Sequence, residues 1–298
     1  MPTAADLEAD FGHPGDRWEE LQERVQAEGL TEFRSIVDEW LAVLWCLDQY
    51  RIAGVCPRGM GRDTIGEPSR LAAVYRNKGN WFSSLIALLI QNTTHQEIRA
   101  RIRVQGMSQV HQIDVAWPAR EEDVLVCAET KVTGAPAYGA TPERGAMSDF
   151  TNRRKELKFS ATDLKLYRRD QKTEIEHWGT WRESAPPRTY FLWAARLRSG
   201  RKADRIDRLV EEAQALVNTY LDGAGILAWR LRSDGTGYER VTPPHSADVT
   251  EIDDVLYRIG TVIRRELKPT GRPPDPVKPE EKAVDVTRLE PDVPDSAG

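Results

Sequence analysis

The chain has 298 residues, 40% of them hydrophobic, and a formal net charge of -5, a composition that allows one substantial core or two modest domains. No apolar run approaches the roughly 20 residues of a membrane-spanning helix, and the acidic first residues lack the basic start and apolar stretch of a signal peptide, so we expect a cytoplasmic protein with no membrane partner. The three cysteines, Cys46, Cys56 and Cys127, form no C-x-x-C pair, which argues against a disulfide framework or a thiolate zinc site.

The first predicted elements are helices. Residues 18–28 are highly charged and predict a short exposed helix. Residues 33–47 carry apolar side chains at spacings of three and four, which predicts an amphipathic helix with Thr31 as its N-terminal cap. Glycines then mark an irregular connection over 54–66, and the apolar residues of 80–91 predict a buried helix.

The middle of the chain is predicted to contain most of the strands. Residues 101–104 predict a short strand, and the β-branched runs at 110–117 and 124–132 predict two stronger ones. A polar, basic stretch at 149–170 is predicted to be partly helical. Residues 190–197 predict a further apolar strand.

Predicted helices and strands alternate in the last third of the chain. Residues 206–220 have the best helical pattern, 226–231 predict a strand, and 252–263 predict an amphipathic helix. Residues 269–298 are rich in proline and charge without periodicity, which predicts a disordered tail. This order of elements predicts an α/β fold around a mixed sheet.

Two charged residues end the strand predicted at 124–132. Because side chains alternate between the faces of a strand, Glu129 and Lys131 emerge side by side from an otherwise apolar segment. Charged groups at the end of a buried strand are costly unless they pair or bind something. The pair is therefore a candidate for chemistry.

Asp114 lies on the strand before that pair. The alternation predicts that Ile113, Val115 and Trp117 share one face of this strand and that Asp114 lies on the other. A hairpin between the two strands would bring Asp114 near Glu129. We therefore expect an acid from each strand at one edge of the sheet.

These residues resemble the motif of the PD-(D/E)XK phosphodiesterase superfamily, which includes many restriction endonucleases and repair nucleases. The matching residues are Asp114, within the run His111 to Val115, and Glu129-Thr130-Lys131 on the next strand. The helix at 80–91 resembles the helix that usually precedes the family's sheet. The resemblance covers residues 78–232, about half of the chain.

The resemblance implies an organisation of the chain. A restriction-endonuclease-like core, a mixed β-sheet flanked by helices, would occupy residues 56–235. Added helices would lie in an N-terminal region at 1–55 and in a C-terminal segment at 236–268, before the tail at 269–298. The implied activity is that of a Mg²⁺-dependent nuclease, with DNA favoured over RNA and with restriction or anti-phage defence as the biological role.

The resemblance also assigns roles. Asp114, Glu129 and the backbone carbonyl of Thr130 would hold Mg²⁺, with Mn²⁺ as a substitute. Independently of any family, two carboxylates at one strand edge can hold a hard cation and leave room for water and phosphate oxygen. Lys131 would orient the water or neutralise charge in the transition state, acting as a compact point charge.

The chain departs from the family pattern in two places. Ile113 stands where the motif has its proline. Many relatives have a glutamate in the first helix, whereas this helix offers Ser83, Ser84 and Gln91. Gln112 is the candidate for an accessory oxygen donor.

Two alternatives remain open. In the first, Asp114 is a surface residue, and Glu129 and Lys131 form an ordinary ion pair on an exposed strand. In the second, the protein is a catalytically inactive subunit with the nuclease fold, which binds nucleic acid or scaffolds a complex. Convergence of the Asp114 and Glu129 carboxylates within reach of a shared cation would distinguish the active nuclease from the inactive subunit.

The distribution of charge is compatible with a nucleic-acid partner. Residues 1–50 carry a net charge of -9, residues 51–210 carry +10, and residues 211–298 carry -6. Within the basic middle, a candidate phosphate-contacting segment holds Arg153, Arg154, Lys155 and Lys158. A solvated helix face is the alternative for this segment.

Three further hypotheses concern contacts. His111 is either structural or near the substrate. Trp178 and Trp181 are candidates for stacking on bases, although loop tryptophans more often pack against a core. A homodimer through the helix at 33–47 or at 252–263 would suit a nuclease that cuts both strands of DNA.

Overall fold

The computed structural model describes most of the chain. The described residues are 2–62, 66–118, 124–148, 150–174, 186–199, 203–244, 246 and 248–267. The predicted tail at 269–298 and the residues Trp178 and Trp181 lie outside this part of the chain, so those hypotheses stay predictions.

The described chain begins with a series of helices, three strands follow, and helices and strands are interspersed after that. The α-helices are α1 (Ala4–Phe11), α2 (Pro14–Ala27), α3 (Val37–Ala53), α4 (Glu67–Tyr75), α5 (Asn77–Thr94), α6 (Phe150–Glu174), α7 (Ile206–Val217) and α8 (Ile252–Leu267). The strands are β1 (Arg99–Gln105), β2 (Val110–Trp117), β3 (Val126–Thr133), β4 (Arg188–Arg196), β5 (Gly223–Leu231), β6 (Tyr238–Val241) and β7 (Val249–Thr250). None of the described helices is long and apolar enough to cross a membrane.

The described strands form one mixed sheet of seven strands. Their order is β1-β2-β3-β4-β5-β6, with β7 beside β5. Neighbours are antiparallel from β1 to β3 and parallel from β3 to β5. Parallel neighbours require a crossover connection, and α6 and α7 lie in the two crossovers. The predicted α/β fold, a mixed sheet flanked by helices, is confirmed.

Helices cover both faces of the sheet. On one face, α5 and α8 with α2 and α3 pack against residues such as Ala128, Leu192 and Leu227. On the other face, α6 and α7 pack against the intervening residues, such as Phe191 and Ile226. Because both faces are covered, β4 and β5 are apolar along most of their length instead of alternating with polar residues.

Helix α2 is amphipathic and packs on the core. It buries Trp18, Leu21 and Val25, and the Trp18 ring stacks on that of Trp81 in α5, with centroids 5.6 Å apart. The prediction of an exposed helix at 18–28 was therefore wrong about exposure. Charged residues separate the three apolar ones in the sequence, so the apolar stripe that packs against α5 was not recognised.

The helix predicted at 33–47 is α3, preceded by a short 3-10 helix. Its N-cap is Ile36, which makes no side-chain cap hydrogen bond, so the prediction of Thr31 as the cap was wrong. Trp40 and Leu44 are buried in the chain's own core, and so is the apolar stripe of α8. A homodimer stays a prediction, and it would have to use surfaces other than these two stripes.

The N-terminal and C-terminal helices share a hydrophobic cluster with the sheet. Trp40 of α3, Phe82 of α5 and Ile259 of α8 all belong to it. The rings of Trp40 and Phe82 stack with centroids 5.8 Å apart. The segments predicted from sequence as separate regions therefore meet in one core.

Strand β2 changes the face on which it places its side chains at Asp114. Ile113 packs in the cluster beneath α6, whereas Val115 and Trp117 pack in the cluster beneath α5. The prediction that Ile113, Val115 and Trp117 share one face was therefore wrong. In the register of β1 and β2, Asp114 lies opposite Arg101, whose φ of 60° is rare outside glycine. The pairing of β1 and β2 is therefore irregular at Asp114.

Candidate active site

The three predicted catalytic residues meet where the paired segment of β2 and β3 ends, in the middle of both strands. The antiparallel register pairs Val115 with Ala128, and its continuation by one residue places Asp114 opposite Glu129. Lys131 follows Glu129 at the next position on the same face of β3. Residues of two strands therefore meet at one point of the sheet.

The Asp114 carboxylate is held by the backbone of β3. Its Oδ2 accepts a hydrogen bond from the Thr130 backbone N–H at 2.9 Å and lies 3.3 Å from the Thr130 hydroxyl oxygen. That hydroxyl also lies 2.8 Å from Ser83 Oγ of α5. Because the N–H and C=O of a strand residue point to the same side, the Thr130 carbonyl faces the side of β3 that Asp114 occupies. Ser83 of α5 therefore supports the Thr130 hydroxyl.

Lys131 lies between the two acids. Its Nζ is 3.5 Å from Asp114 Oδ2 and 3.8 Å from Glu129 Oε2. The side chains of Asp114 and Glu129 are only 21% and 18% exposed. Two mostly buried carboxylates thus share one ammonium, which favours a built site over the alternative of an exposed ion pair.

Electrostatics makes this cluster receptive to a cation. Burial, and then the negative charge of Asp114, raise the pKa of Glu129, while the Lys131 ammonium acts in the opposite direction. Two carboxylates this close cannot both ionise cheaply unless positive charge balances them. One ammonium does not balance two carboxylates, so the pair attracts a proton or a second cation.

The donor set suits a hard divalent cation. Mg²⁺ takes oxygen ligands and is usually held by one or two carboxylates, with water and substrate phosphate completing its shell. Asp114 and Glu129 offer the carboxylates, and Thr130 offers its carbonyl. Within the described residues, no three His, Cys, Asp or Glu side chains form a metal-binding group. A cation at this site would therefore depend on two carboxylates, a carbonyl and the substrate.

A cleft of about 230 Å³ opens beside Glu129 and Lys131. The other residues that line it include Gln109, His111 and Gln112 from β2 and the turn before it, and Glu156, Phe159 and Ser160 from α6. Gln112, the predicted accessory oxygen donor, is thus close to the site. Glu156 and Phe159 were not predicted as site residues, because nothing in the sequence indicates that α6 lies beside Glu129 and Lys131.

His111 links β2 to α6. Its Nε2 lies 2.7 Å from Asp163 Oδ2, and Asp163 Oδ1 accepts from the Ser108 backbone N–H at 2.9 Å. Both ionisable side chains are buried. Burial by itself would raise the pKa of Asp163, but the hydrogen bonds from His111 and Ser108 outweigh burial and lower it. His111 therefore has a structural role, and it also borders the cleft.

We expect Asp163→Ala to lower the free energy of unfolding by about 3 kcal/mol, because His111 and the Ser108 amide would lose their acceptor. Asp163→Asn keeps one acceptor oxygen and should lose less. Urea denaturation followed by tryptophan fluorescence measures both losses. Equal stability of Asp163→Ala and the parent would show that this link does not support the wall of the cleft.

The predicted phosphate-contacting segment lies on α6. Three of its four residues already have partners: Arg153 pairs with Glu156 on the same helix, Arg154 pairs with Glu212, and Lys158 lies over the ring of Tyr220. Lys155 is exposed. Phosphate binding by this segment stays a prediction, and both arginines would have to exchange a carboxylate for a phosphate.

No family model, curated protein or solved structure matches the chain. The site is therefore supported by its own geometry. That geometry consists of two converging acids, a shared lysine, a backbone-held aspartate and an adjacent open cleft.

Proposed function

We propose that the protein is a Mg²⁺-dependent nuclease of the PD-(D/E)XK type, which hydrolyses phosphodiester bonds in nucleic acid and prefers DNA to RNA. The observation that carries the proposal is the convergence of the Asp114 and Glu129 carboxylates on Lys131 Nζ, at 3.5 and 3.8 Å, beside an open cleft. A helix before the sheet, and an antiparallel β1–β3 unit followed by parallel strands, support a restriction-endonuclease-like fold.

The chemistry requires a nucleophilic water and stabilisation of negative charge on phosphorus. Asp114, Glu129 and the Thr130 carbonyl would hold Mg²⁺, which when bound polarises the phosphate and activates water; Mn²⁺ accepts similar oxygen ligands. The hydrogen bond from the Thr130 amide orients Asp114 before substrate arrives. The Lys131 ammonium is a compact charge that can position water or neutralise a phosphate oxygen.

A cleavage assay tests the proposal. The full chain is incubated with supercoiled plasmid, single-stranded DNA and RNA in the presence of Mg²⁺, Mn²⁺ or a chelator. We expect cleavage with either cation, none with the chelator, and faster cleavage of DNA. Glu129→Gln, purified in the same way, separates the chain's own activity from a contaminating nuclease. Equal cleavage by this variant would contradict the proposal.

Lys131→Ala should reduce turnover by about 10²-fold or more, the loss seen for other preorganised charge stabilisers, while Mg²⁺ binding is retained. Lys131→Arg should recover only part of the activity, because a planar guanidinium does not reproduce a compact charge at close range. Single-turnover kinetics measures the rate, and calorimetric titration measures Mg²⁺ affinity. Loss of Mg²⁺ binding in Lys131→Ala would contradict this role.

A second candidate is a catalytically inactive subunit of the same fold, which binds nucleic acid or scaffolds a complex. The observation that favours it is the pairing of Lys131 with both carboxylates, which balances part of their charge without a metal. This candidate predicts nucleic-acid binding without cleavage in every arm of the assay.

Restriction or anti-phage defence is the biological role that an active nuclease would suit. Cleavage of both DNA strands there would require two copies of the site, which a homodimer would supply. Sedimentation of the full chain with and without DNA measures whether two copies associate.

A further inference from the structure

Phe159 is a large aromatic residue left half exposed at the cleft. It is 50% exposed, whereas its neighbours on α6, Leu157 and Ala161, are buried against the sheet. Its ring meets the ring of His111 at an angle of 60°, with centroids 5.5 Å apart. An aromatic ring exposed in a cleft is a surface on which another flat ring can stack.

Two amide side chains lie in the same cleft. Gln109 and Gln112 both line it, and within the described residues neither side-chain amide has a hydrogen-bond partner. An amide presents a donor and an acceptor side by side, which is how glutamine binds the edge of a base. The cleft therefore combines a stacking surface with groups that can bind the edge of a stacked ring.

The size and position of the cleft limit what it could bind. Its volume of about 230 Å³ is below the roughly 300–1,000 Å³ of pockets for drug-sized ligands, so it suits a single ring system. Glu129 and Lys131 line it as well, so a ring bound there would lie next to the phosphate proposed for hydrolysis. Glu156 on its wall is paired with Arg153 at 2.6 Å, which reduces repulsion of a nucleic acid.

We propose that this cleft binds one unpaired nucleobase of the substrate, stacked on Phe159 and hydrogen-bonded by Gln109 and Gln112. The inference rests on the proposed nuclease function and names its substrate class. The substrate is a nucleic acid with a base outside the double helix, either in a single strand or flipped out of a duplex.

Binding of labelled oligonucleotides tests the base pocket. The full-length Glu129→Gln protein is titrated by fluorescence anisotropy with single-stranded DNA, an abasic strand of the same length, and a duplex. Adding Phe159→Ala should weaken binding to the single strand about 5- to 150-fold, the range for one base–aromatic stack, and leave binding to the abasic strand unchanged. Phe159→Leu should lose affinity in the same way, and Phe159→Trp should retain it. The matched control is Leu166→Ala, on the same helix, 45% exposed and outside the cleft.

The arms of this experiment separate the possible results. If the Phe159 variants lose affinity for the duplex as well as for the single strand, the bound base is flipped out of the duplex. If they lose affinity for the single strand alone, the substrate is single-stranded. Both results support the pocket. No loss in the Phe159 variants, or equal losses for the intact and abasic strands, overturns the pocket and leaves the nuclease proposal standing. Absence of binding to all three nucleic acids overturns both.

Discussion

Replacing Glu129 by glutamine, or Asp114 by asparagine, will reduce Mg²⁺-dependent cleavage by roughly 10³-fold or more, at or beyond the upper end of losses for one preorganised group. Each change replaces a carboxylate by a neutral amide of nearly the same shape. The proposed cation would lose one of its two charged ligands, and because a hard cation depends on ligand charge, Mg²⁺ affinity should fall with the rate. Cleavage kinetics and calorimetric titration measure the two effects.

Substitutions at the two acids should differ in their effect on stability. Glu129→Gln removes a carboxyl group whose charged form is disfavoured by burial and by Asp114, so the free energy of unfolding should hold or rise. Asp114→Ala leaves the buried Thr130 amide without its acceptor, and we expect a loss of about 1–3 kcal/mol. Asp114→Asn, which keeps an oxygen, is therefore the better variant for the cleavage assay.

A matched control for this experiment lies on the far edge of the sheet. Glu239 of β6 is 41% exposed and pairs with Arg230 at 2.6 Å, away from the cleft. Glu239→Gln removes the same charge and should cut at the parent rate. A folded Asp114→Asn or Glu129→Gln protein that also cuts at the parent rate would contradict the site assignment.

Asp48 of α3 lies at the centre of a buried polar network. Its two oxygens accept hydrogen bonds from the hydroxyls of Tyr75, at 2.6 Å, and Tyr238. Arg196 of β4 donates to the Tyr238 oxygen at 3.1 Å, and Lys78 of α5 donates to the Tyr75 oxygen at 3.1 Å. Burial, and then the charge of Asp48, raise the pKa of both tyrosines, so both hydroxyls keep the protons that they donate.

Asp48→Ala should lower the free energy of unfolding by about 3–5 kcal/mol, the cost of removing one partner from a buried charged network. Arg196 is only 7% exposed and would keep Glu143 as its ion-pair partner, while both tyrosine hydroxyls would lose their acceptor. The loss is a large share of the roughly 5–15 kcal/mol that stabilises a typical domain. Urea denaturation followed by tryptophan fluorescence measures it.

Two further variants make the test of the network specific. Asp48→Asn keeps one acceptor oxygen and should lose less stability than Asp48→Ala. Glu239→Gln breaks only an exposed ion pair and should change stability by less than about 1 kcal/mol. If Asp48→Ala proved as stable as Glu239→Gln, the network would contribute little to the fold.

Local patterns were sufficient to predict the longer elements. The helices α7 and α8 were predicted because their apolar residues recur with the helical period, and the strands β2, β3 and β4 were predicted from their β-branched and apolar runs. The elements α1, α4, β6 and β7 were not predicted, since they are too short or too irregular to show a period. Helix α1 did carry a signal, a capping box formed by Thr3 and Asp6.

The candidate site was only partly predictable. Consecutive strands usually pair, so a single hairpin was enough to place Asp114 near Glu129. The face of the sheet on which the Asp114 side chain lies was not predictable, because the pairing of β1 and β2 is irregular where Asp114 lies opposite Arg101. The role of Thr130 as donor to Asp114 was not predicted either.

The amino-acid sequence by itself determined the α/β class and the pair of strands that carry Asp114, Glu129 and Lys131. The periodicity of apolar residues within a segment indicates that one face of it is buried, but it does not indicate which other element packs on that face. Only the tertiary structure decided that α6 brings Phe159 into the cleft beside Glu129 and Lys131, and that Asp48 meets Tyr238 from a distant part of the chain. Such contacts depend on how whole layers of helices pack on the sheet, and a close-packed interior sets their geometry through many neighbours at once.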